Sequence, residues 1–340
     1  MRDLVVAGGG PIGLATALYA ARAGLDVVVR EPRRGVIDKA CGEGLMPAAV
    51  AGLLDLGVRL RGHTIDGIRY VDQGRVVEAT FRHGRGRGVP RTALHAALQA
   101  AVATAGVPVE HRPVDVIDER ADHLLVDGEP VRHLVAADGL HSPVRRRMGL
   151  DAPARTARRY GLRCHVATRP WTPFVEVHWS PWGEAYITPV GDDLVGVAVL
   201  SRQRLPFREL LDTFGTLRPR LGGLPLSRVR GAGPLRQRSS RRVSGRVLLV
   251  GDAAGYVDAL TGEGIAVGLA QARAAVAAVV TGDLGRYERD WRKVTWRHDL
   301  LTHGLLAATR HRTLRTRIVP AAAAMPRVFE AAVNQLARPA

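Results

Sequence analysis

The 340 residues carry 49 Lys and Arg against 32 Asp and Glu, a formal charge of +17, with 46% hydrophobic and 5% aromatic residues. That length and apolar content build one large buried core or two joined ones, and they argue against a disordered or membrane-spanning chain. Two cysteines, Cys41 and Cys164, exclude a disulfide framework and a four-cysteine metal site; the pair suits a reducing cytoplasm, and no metal is expected.

The excess positive charge is nearly all arginine, with lysine only at 39 and 293. It is scattered and lacks the aromatic-interleaved basic platform that single-stranded nucleic acid needs, so no nucleic-acid partner is expected. An acidic cofactor, an anionic substrate or a membrane surface would each benefit from it. No apolar run approaches the ~20 residues of a membrane span, and no charged-then-apolar leader opens the chain. The expectation is a cytoplasmic protein, a monomer or homodimer, with at most a peripheral membrane contact.

In chain order, Leu4–Ala7 reads as a strand running into Gly8-Gly9-Gly10-Pro11-Ile12-Gly13. A helix carrying Leu14, Leu18 and Ala21 follows, then a turn at Gly24 and a second strand, Val27–Val29, ending at Glu31. This is the dinucleotide fingerprint in its required setting. Gly8 makes the tight turn, Gly10 lets a pyrophosphate approach the backbone, Gly13 lets helix and strand pack closely, and Glu31 can bind ribose hydroxyls.

Cys41 and Glu43 lie among small residues before a helix over 47–56. Cys41 is either a residue touching cofactor or substrate, or a small filler in a close-packed turn. Segments 64–71 and 75–81 read as a hairpin. His83 to Gly88 is glycine-rich but lacks the strand and helix of a nucleotide loop. Arg91 opens a helix through Ala103, either reaching a pyrophosphate or facing solvent. Short strands follow at 107–109, 114–118, 123–126 and 131–136, the last ending in Ala137-Asp138-Gly139.

From 159 to 200 the alternation reads as an antiparallel sheet with strands at 160–168, 174–179, 185–189 and 194–200. Trp179 and Tyr186 stand here, as pocket candidates or as sheet core. A helix is expected over 207–217. Gly231 to Pro234 mimics a nucleotide loop without the helix. Val247–Val250 then reads as a buried strand breaking at Gly251-Asp252, with a helix starting at Gly264 after Thr261-Gly262-Glu263. Glycines at 262 and 264 and the helix dipole favour negative charge there. That suits a reduced flavin, with Ile265 in the first turn and the Asp252 carboxylate accepting from ribityl hydroxyls. Beyond Gly285 the chain reads as arginine-rich helix.

Three pieces, Gly8–Gly13 with Glu31, Asp138-Gly139 with Ser142 and Arg145, and Gly251-Asp252 with its helix, together resemble the FAD-dependent oxidoreductase superfamily of p-hydroxybenzoate hydroxylase, which includes geranylgeranyl reductases and flavin halogenases. The resemblance spans roughly residues 3 to 280. It implies an α/β fold: a Rossmann-like FAD-binding domain with an inserted antiparallel-sheet substrate domain and C-terminal helices. The expected division is 1–62, 91–155 and 236–285 for FAD, 63–90 and 156–235 for substrate, and 286–340 as a helical tail.

The implied cofactor is FAD, with NAD(P)H as a transient co-substrate lacking its own Rossmann domain. The implied contacts are Gly8, Gly10, Pro11, Ile12, Gly13, Glu31, Arg91, Val114, Asp138, Asp252, Gly262, Gly264 and Ile265. Cys41, Glu43, Trp179 and Tyr186 are the pocket candidates, and the flavin itself, not a side chain, is the catalyst. Within the superfamily, Gly255 to Ile265 is similar to the reductase branch, though Ala259 stands where proline is usual, and Lys39 to Gly42 is similar to its cysteine–glycine turn, with Glu43 for a glycine. The reductases' aromatic sheet motif is missing, Trp182 to Pro189 resembles the hydroxylases more, and the halogenase Trp-x-Trp motif is absent. The leading expectation is a monooxygenase, a hydroxylase or epoxidase activating oxygen at flavin C4a, acting on a small apolar or aromatic natural product. An ene-reductase of isoprenoid-like substrates is the alternative, and a non-catalytic basic surface-binding protein the remote one.

Overall fold

The computed structural model describes residues 1–72, 74–154, 158–310 and 312–338. The expected domain boundary between 155 and 156, and tail residues 311, 339 and 340, lie outside the described residues.

Unbroken apolar runs at Leu4–Ala7, Val27–Val29 and Leu134–Ala136 are buried on both faces, the mark of a parallel sheet. They form its centre. The order is Val243–Ser244, Val247–Leu249, Glu129–Ala136, Arg2–Ala7, Val27–Arg30, Val109–Glu110. All neighbours are parallel except the first pair. Leu124–Val126 and Ile117–Glu119 extend Glu129–Ala136 as an antiparallel meander. One face is covered by helices Pro11–Arg22, Arg91–Thr104 and Gly264–Thr281. Because four central strands run the same way, the loops after Ala7, Arg30, Ala136 and Leu249 gather at one edge, where open α/β sheets bind ligands.

A second sheet runs Arg230–Ala232, Tyr160–Val166, Leu194–Ser201, Gly183–Gly191, Phe174–Ser180, Gly67–Asp72, Arg75–Thr80. It is antiparallel except where Phe174–Ser180 pairs in parallel with Gly67–Asp72. On one face Cys164, Val166, Ile187 and Val197 pack on helix Phe207–Asp212. On the other, Tyr70, Val175 and Trp179 pack on tail helices Ile318–Ala324 and Pro326–Ala337. The fold is thus the α/β arrangement with an added sheet and C-terminal helices.

Several expected elements differ. The strand over 64–71 breaks at Asp66, whose N–H donates to the Pro173 carbonyl; His63–Ile65 leaves to pair with Gly86–Gly88, the segment dismissed as a nucleotide loop. The helix over 207–217 stops at Asp212 and resumes as Arg218–Leu221, since Gly215 and Pro219 interrupt it. Val114 precedes its strand, which starts at Ile117, and only Val109 of 107–109 is extended pairing. Helix Gly264–Thr281 is long and apolar enough to cross a membrane by length and composition only, with Gln271 and Arg273 interrupting its apolar run; Leu269, Ala272, Ala275 and Val276 are buried in the protein core, which accounts for its apolarity.

Candidate active site

Helix Pro11–Arg22 begins at Gly10 with no side-chain cap, and proline occupies its first turn. Its amide end is left open to an anion. A Cβ on Gly13 would sit 1.8 Å from the Gly8 carbonyl oxygen, so only glycine permits this approach of helix to strand. A Cβ on Gly10 would meet nothing within 4 Å. Across the loop the Gly9 N–H donates to Glu31 Oε2 (2.8 Å), while Arg33 donates its N–H (3.0 Å) and Nε (2.7 Å) to Oε1. Burial pushes the Glu31 carboxyl up, but these bonds outweigh it and hold it below its ordinary value. His95 braces the loop, with Nε2 2.8 Å from the Gly9 carbonyl oxygen and Nδ1 accepting from the Ile37 N–H.

The turn Gly251–Ala254 follows the buried strand Val247–Leu249. Arg145, fully buried, clamps it: Nη1 donates to the Ala253 carbonyl (3.1 Å), Nη2 to Leu140 and Gln237, and Nε to Asp151 (2.7 Å). Ser142 caps the short helix that carries Arg145, and Asp138 Oδ2 accepts from the Val144 N–H. The Asp252 carboxylate makes no hydrogen bond among the described residues; burial pushes its pKa up against the pull of Lys39, Arg91 and Arg145. Arg91 is buried, which overturns the solvent-facing alternative; its neighbours include Cys41, Asp252 and Arg33. Lys39 lies opposite Gly139, and burial and Arg33 lower its pKa.

Loop 38–43 closes the site from the second sheet. Glu43 holds φ at +60°, a strained value for a non-glycine residue, and both its oxygens are occupied. Oε1 accepts from the Arg91 N–H (2.8 Å) and Oε2 lies 2.7 Å from His165 Nε2. Asp38 is paired with Arg163 and with Arg230 Nε (2.8 Å). Thr188 Oγ1 donates to the Gly42 carbonyl. Cys41 Sγ accepts from the Glu43 N–H (3.4 Å), and burial pushes its thiol up.

A family model described as "FAD binding domain" matches residues 1–204. The chain belongs to the FAD-binding oxidoreductases. It is 32% identical to a menaquinone reductase from Mycolicibacterium smegmatis, over 87% of this chain and 80% of that protein. To digeranylgeranylglycerophospholipid reductase 1 from Methanothermobacter thermautotrophicus it is 28% identical, over 84% of this chain and 81% of that one. In fold it matches the crystal structure of p-nitrophenol 4-monooxygenase from Pseudomonas putida with a TM-score of 0.80 at 20% identity, covering 99% of this chain and 95% of that one.

The residues present fit FAD. An uncapped helix end with open space above Gly10, an acidic acceptor in Glu31, a half-buried Asp252 carboxylate that makes no hydrogen bond among the described residues and the buried guanidinium of Arg91 are the donor and acceptor set of a dinucleotide carrying a polyol. Ile12 and Ile265 support this set by packing: Ile12 fills the gap between Gly251 and Gly268, and Ile265 packs on the main core. Gly262 takes φ +71°, and Gly264 starts the long helix.

Other candidates have different surroundings from those expected. Val114 buries its side chain in the core and its carbonyl accepts from Arg147, so any contact with FAD is through its main chain. Asp138 braces the Arg145 helix, with Oδ1 buried and unpartnered. Glu43 is a tie between loop, helix and sheet, its carboxylate fully buried against Arg91, Arg163 and His165. Trp179 stacks edge-on against Tyr70 (5.5 Å) under the tail helices. Tyr186 bridges sheet and loop, its hydroxyl donating to the Leu260 carbonyl (2.8 Å). Sequence reasoning missed Arg33, Lys39, His95, Arg163 and His165. Only Lys39 carried a signal, as one of two lysines in an arginine-rich chain.

Proposed function

We propose that this FAD-dependent oxidoreductase is an ene-reductase saturating carbon–carbon double bonds of an isoprenoid chain, with NAD(P)H as transient co-substrate. FAD supplies the two-electron chemistry when bound. Adding hydrogen across an alkene takes a hydride at one carbon and a proton at the other, so a protonated group must stand against the substrate carbon. Cys41 carries the reading: its half-buried thiol, pushed up by desolvation, shares a neighbourhood with Arg91 and Tyr256, which in turn lie close to Asp252. The S–H can release its proton to a substrate carbon while Arg91 steadies the thiolate left behind. Leu200, Leu260 and Leu306 pack with Tyr186 and Tyr256 into one apolar cluster, and Tyr256 ties that cluster to the neighbourhood of Cys41. Menaquinone and digeranylgeranylglycerophospholipid, the molecules named in the relatives, share an isoprenoid chain, which supports the same substrate class.

Oxygen insertion into a small apolar or aromatic molecule is the second reading, favoured by the hydroxylase-like run Trp182 to Pro189. Anaerobic turnover with NADPH and a polyprenyl quinone separates the two. The expected product is two hydrogens heavier, and a product formed only with oxygen and one oxygen atom heavier overturns the reductase reading. Cys41→Ala should slow substrate reduction by about 10²-fold while leaving NADPH-driven bleaching of the flavin unchanged.

A further inference from the structure

Glu263 directly precedes helix Gly264–Thr281, whose first residue lines the same cavity as Asp252, and its carboxylate is buried. Oε2 lies 2.9 Å from Nδ1 of His298, which comes from the tail helix Leu284–Arg310. Thr261 Oγ1 is 3.3 Å from the same nitrogen and 3.2 Å from Thr302 Oγ1. Burial pushes the Glu263 carboxyl up, opposed by the hydrogen bond and charge of His298. His298 also borders a cavity of about 260 Å³ lined by Asp252, Gly264 and the exposed His303 among others. That volume and its polar lining accommodate a chain of waters. A buried acid–base pair thus links the start of helix Gly264–Thr281 to this cavity.

We propose that the Glu263–His298 pair takes up one proton from solvent when the bound flavin is reduced. Hydride transfer from a nicotinamide moves two electrons and one hydrogen nucleus, oxidises the donor to its cation and leaves one added negative charge on the flavin. The proton, drawn from water through the cavity, neutralises that charge across the helix end, where the backbone dipole already favours it. His298 is a positioning residue acting through Glu263 and Thr261. The other charged groups on the cavity are Arg236, Arg238, Arg242, Asp252, Asp299 and His303; the arginines stay charged throughout. The inference needs bound FAD alone and stands whether the substrate is reduced or oxygenated.

The test is the midpoint potential of the flavin in the holoprotein against pH, by dye equilibration from about pH 5 to 8, the span in which an imidazole changes charge. An additional proton per two electrons steepens the slope by about 30 mV per pH unit. The wild type should show this segment, and His298→Gln and Glu263→Gln should each lose it. A wild type without the segment overturns the proposal, as does its persistence in either variant. Should neither variant retain flavin, the reduced-minus-oxidised infrared spectrum of the wild type decides: imidazole or carboxyl bands that change with reduction support the pair, and their absence overturns it.

Discussion

Gly10 and Gly13 sit three residues apart in one loop and are glycine for opposite reasons. At Gly13 the obstacle is the protein's own Gly8 carbonyl, 1.8 Å from where a Cβ would stand. At Gly10 there is no obstacle, and its extended φ and ψ suit a branched residue. Gly13→Ala should therefore destabilise the apoprotein by about 3 kcal/mol, and Gly10→Val should leave apoprotein melting unchanged while abolishing FAD retention, because its side chain takes the pyrophosphate's place. Thermal melts and flavin absorbance of the two variants check this; wild-type flavin content in Gly10→Val would refute the site. Glu43 shows the opposite economy, since a residue strained at φ +60° is kept in place by the Arg91 N–H and His165.

At the scale of elements, the second sheet is held by polar ties as well as by its apolar faces. Glu176, on Phe174–Ser180, is pushed up by burial, but hydrogen bonds from His178, Trp171 and Arg69 outweigh that and hold its carboxyl at about 2. A carboxyl lowered in the folded state stabilises the fold above its unfolded value near 4.5 and loses that contribution as pH falls toward 2. Glu176→Gln should thus be less stable than wild type at neutral pH, with the gap narrowing through the window between those values. Urea unfolding at stepped pH measures it, and a gap constant with pH would show that the carboxylate's charge is not the tie.

For the molecule as a whole, the tail belongs to the core. Tyr287 is fully buried and its hydroxyl donates to the Leu249 carbonyl (2.7 Å). Asn334 joins the last helix to the second sheet, accepting from the Arg82 N–H and donating to the Thr80 carbonyl. Val319, Phe329 and Val333 are buried against that sheet, each worth about 1.5–3 kcal/mol and together of the order of a whole domain's stability, about 5–15 kcal/mol. A chain ending at Arg317 should lose cooperative unfolding and self-associate through Tyr70, Trp179 and Phe81. Size-exclusion chromatography and near-ultraviolet dichroism check this, and a well-folded monomer would show the tail to be an appendage.

Periodicity and glycine placement were enough to read the Gly8–Gly13 loop, the strand ends near Glu31 and Asp252 and the helix start at Gly264, because those features depend on neighbours along the chain; the cofactor followed from the resemblance those pieces carry together. The surroundings of Arg91, Lys39, Glu43 and Trp179 were decided only by tertiary structure. Arg91 and Cys41 are 50 residues apart, and His298 meets Glu263 from a separate helix, so nothing local marks either pairing. A lone polar residue has the same sequence signature whether it faces water or a buried partner; burial, which alone tells these apart, exists only once the sheets and the tail have closed on one another.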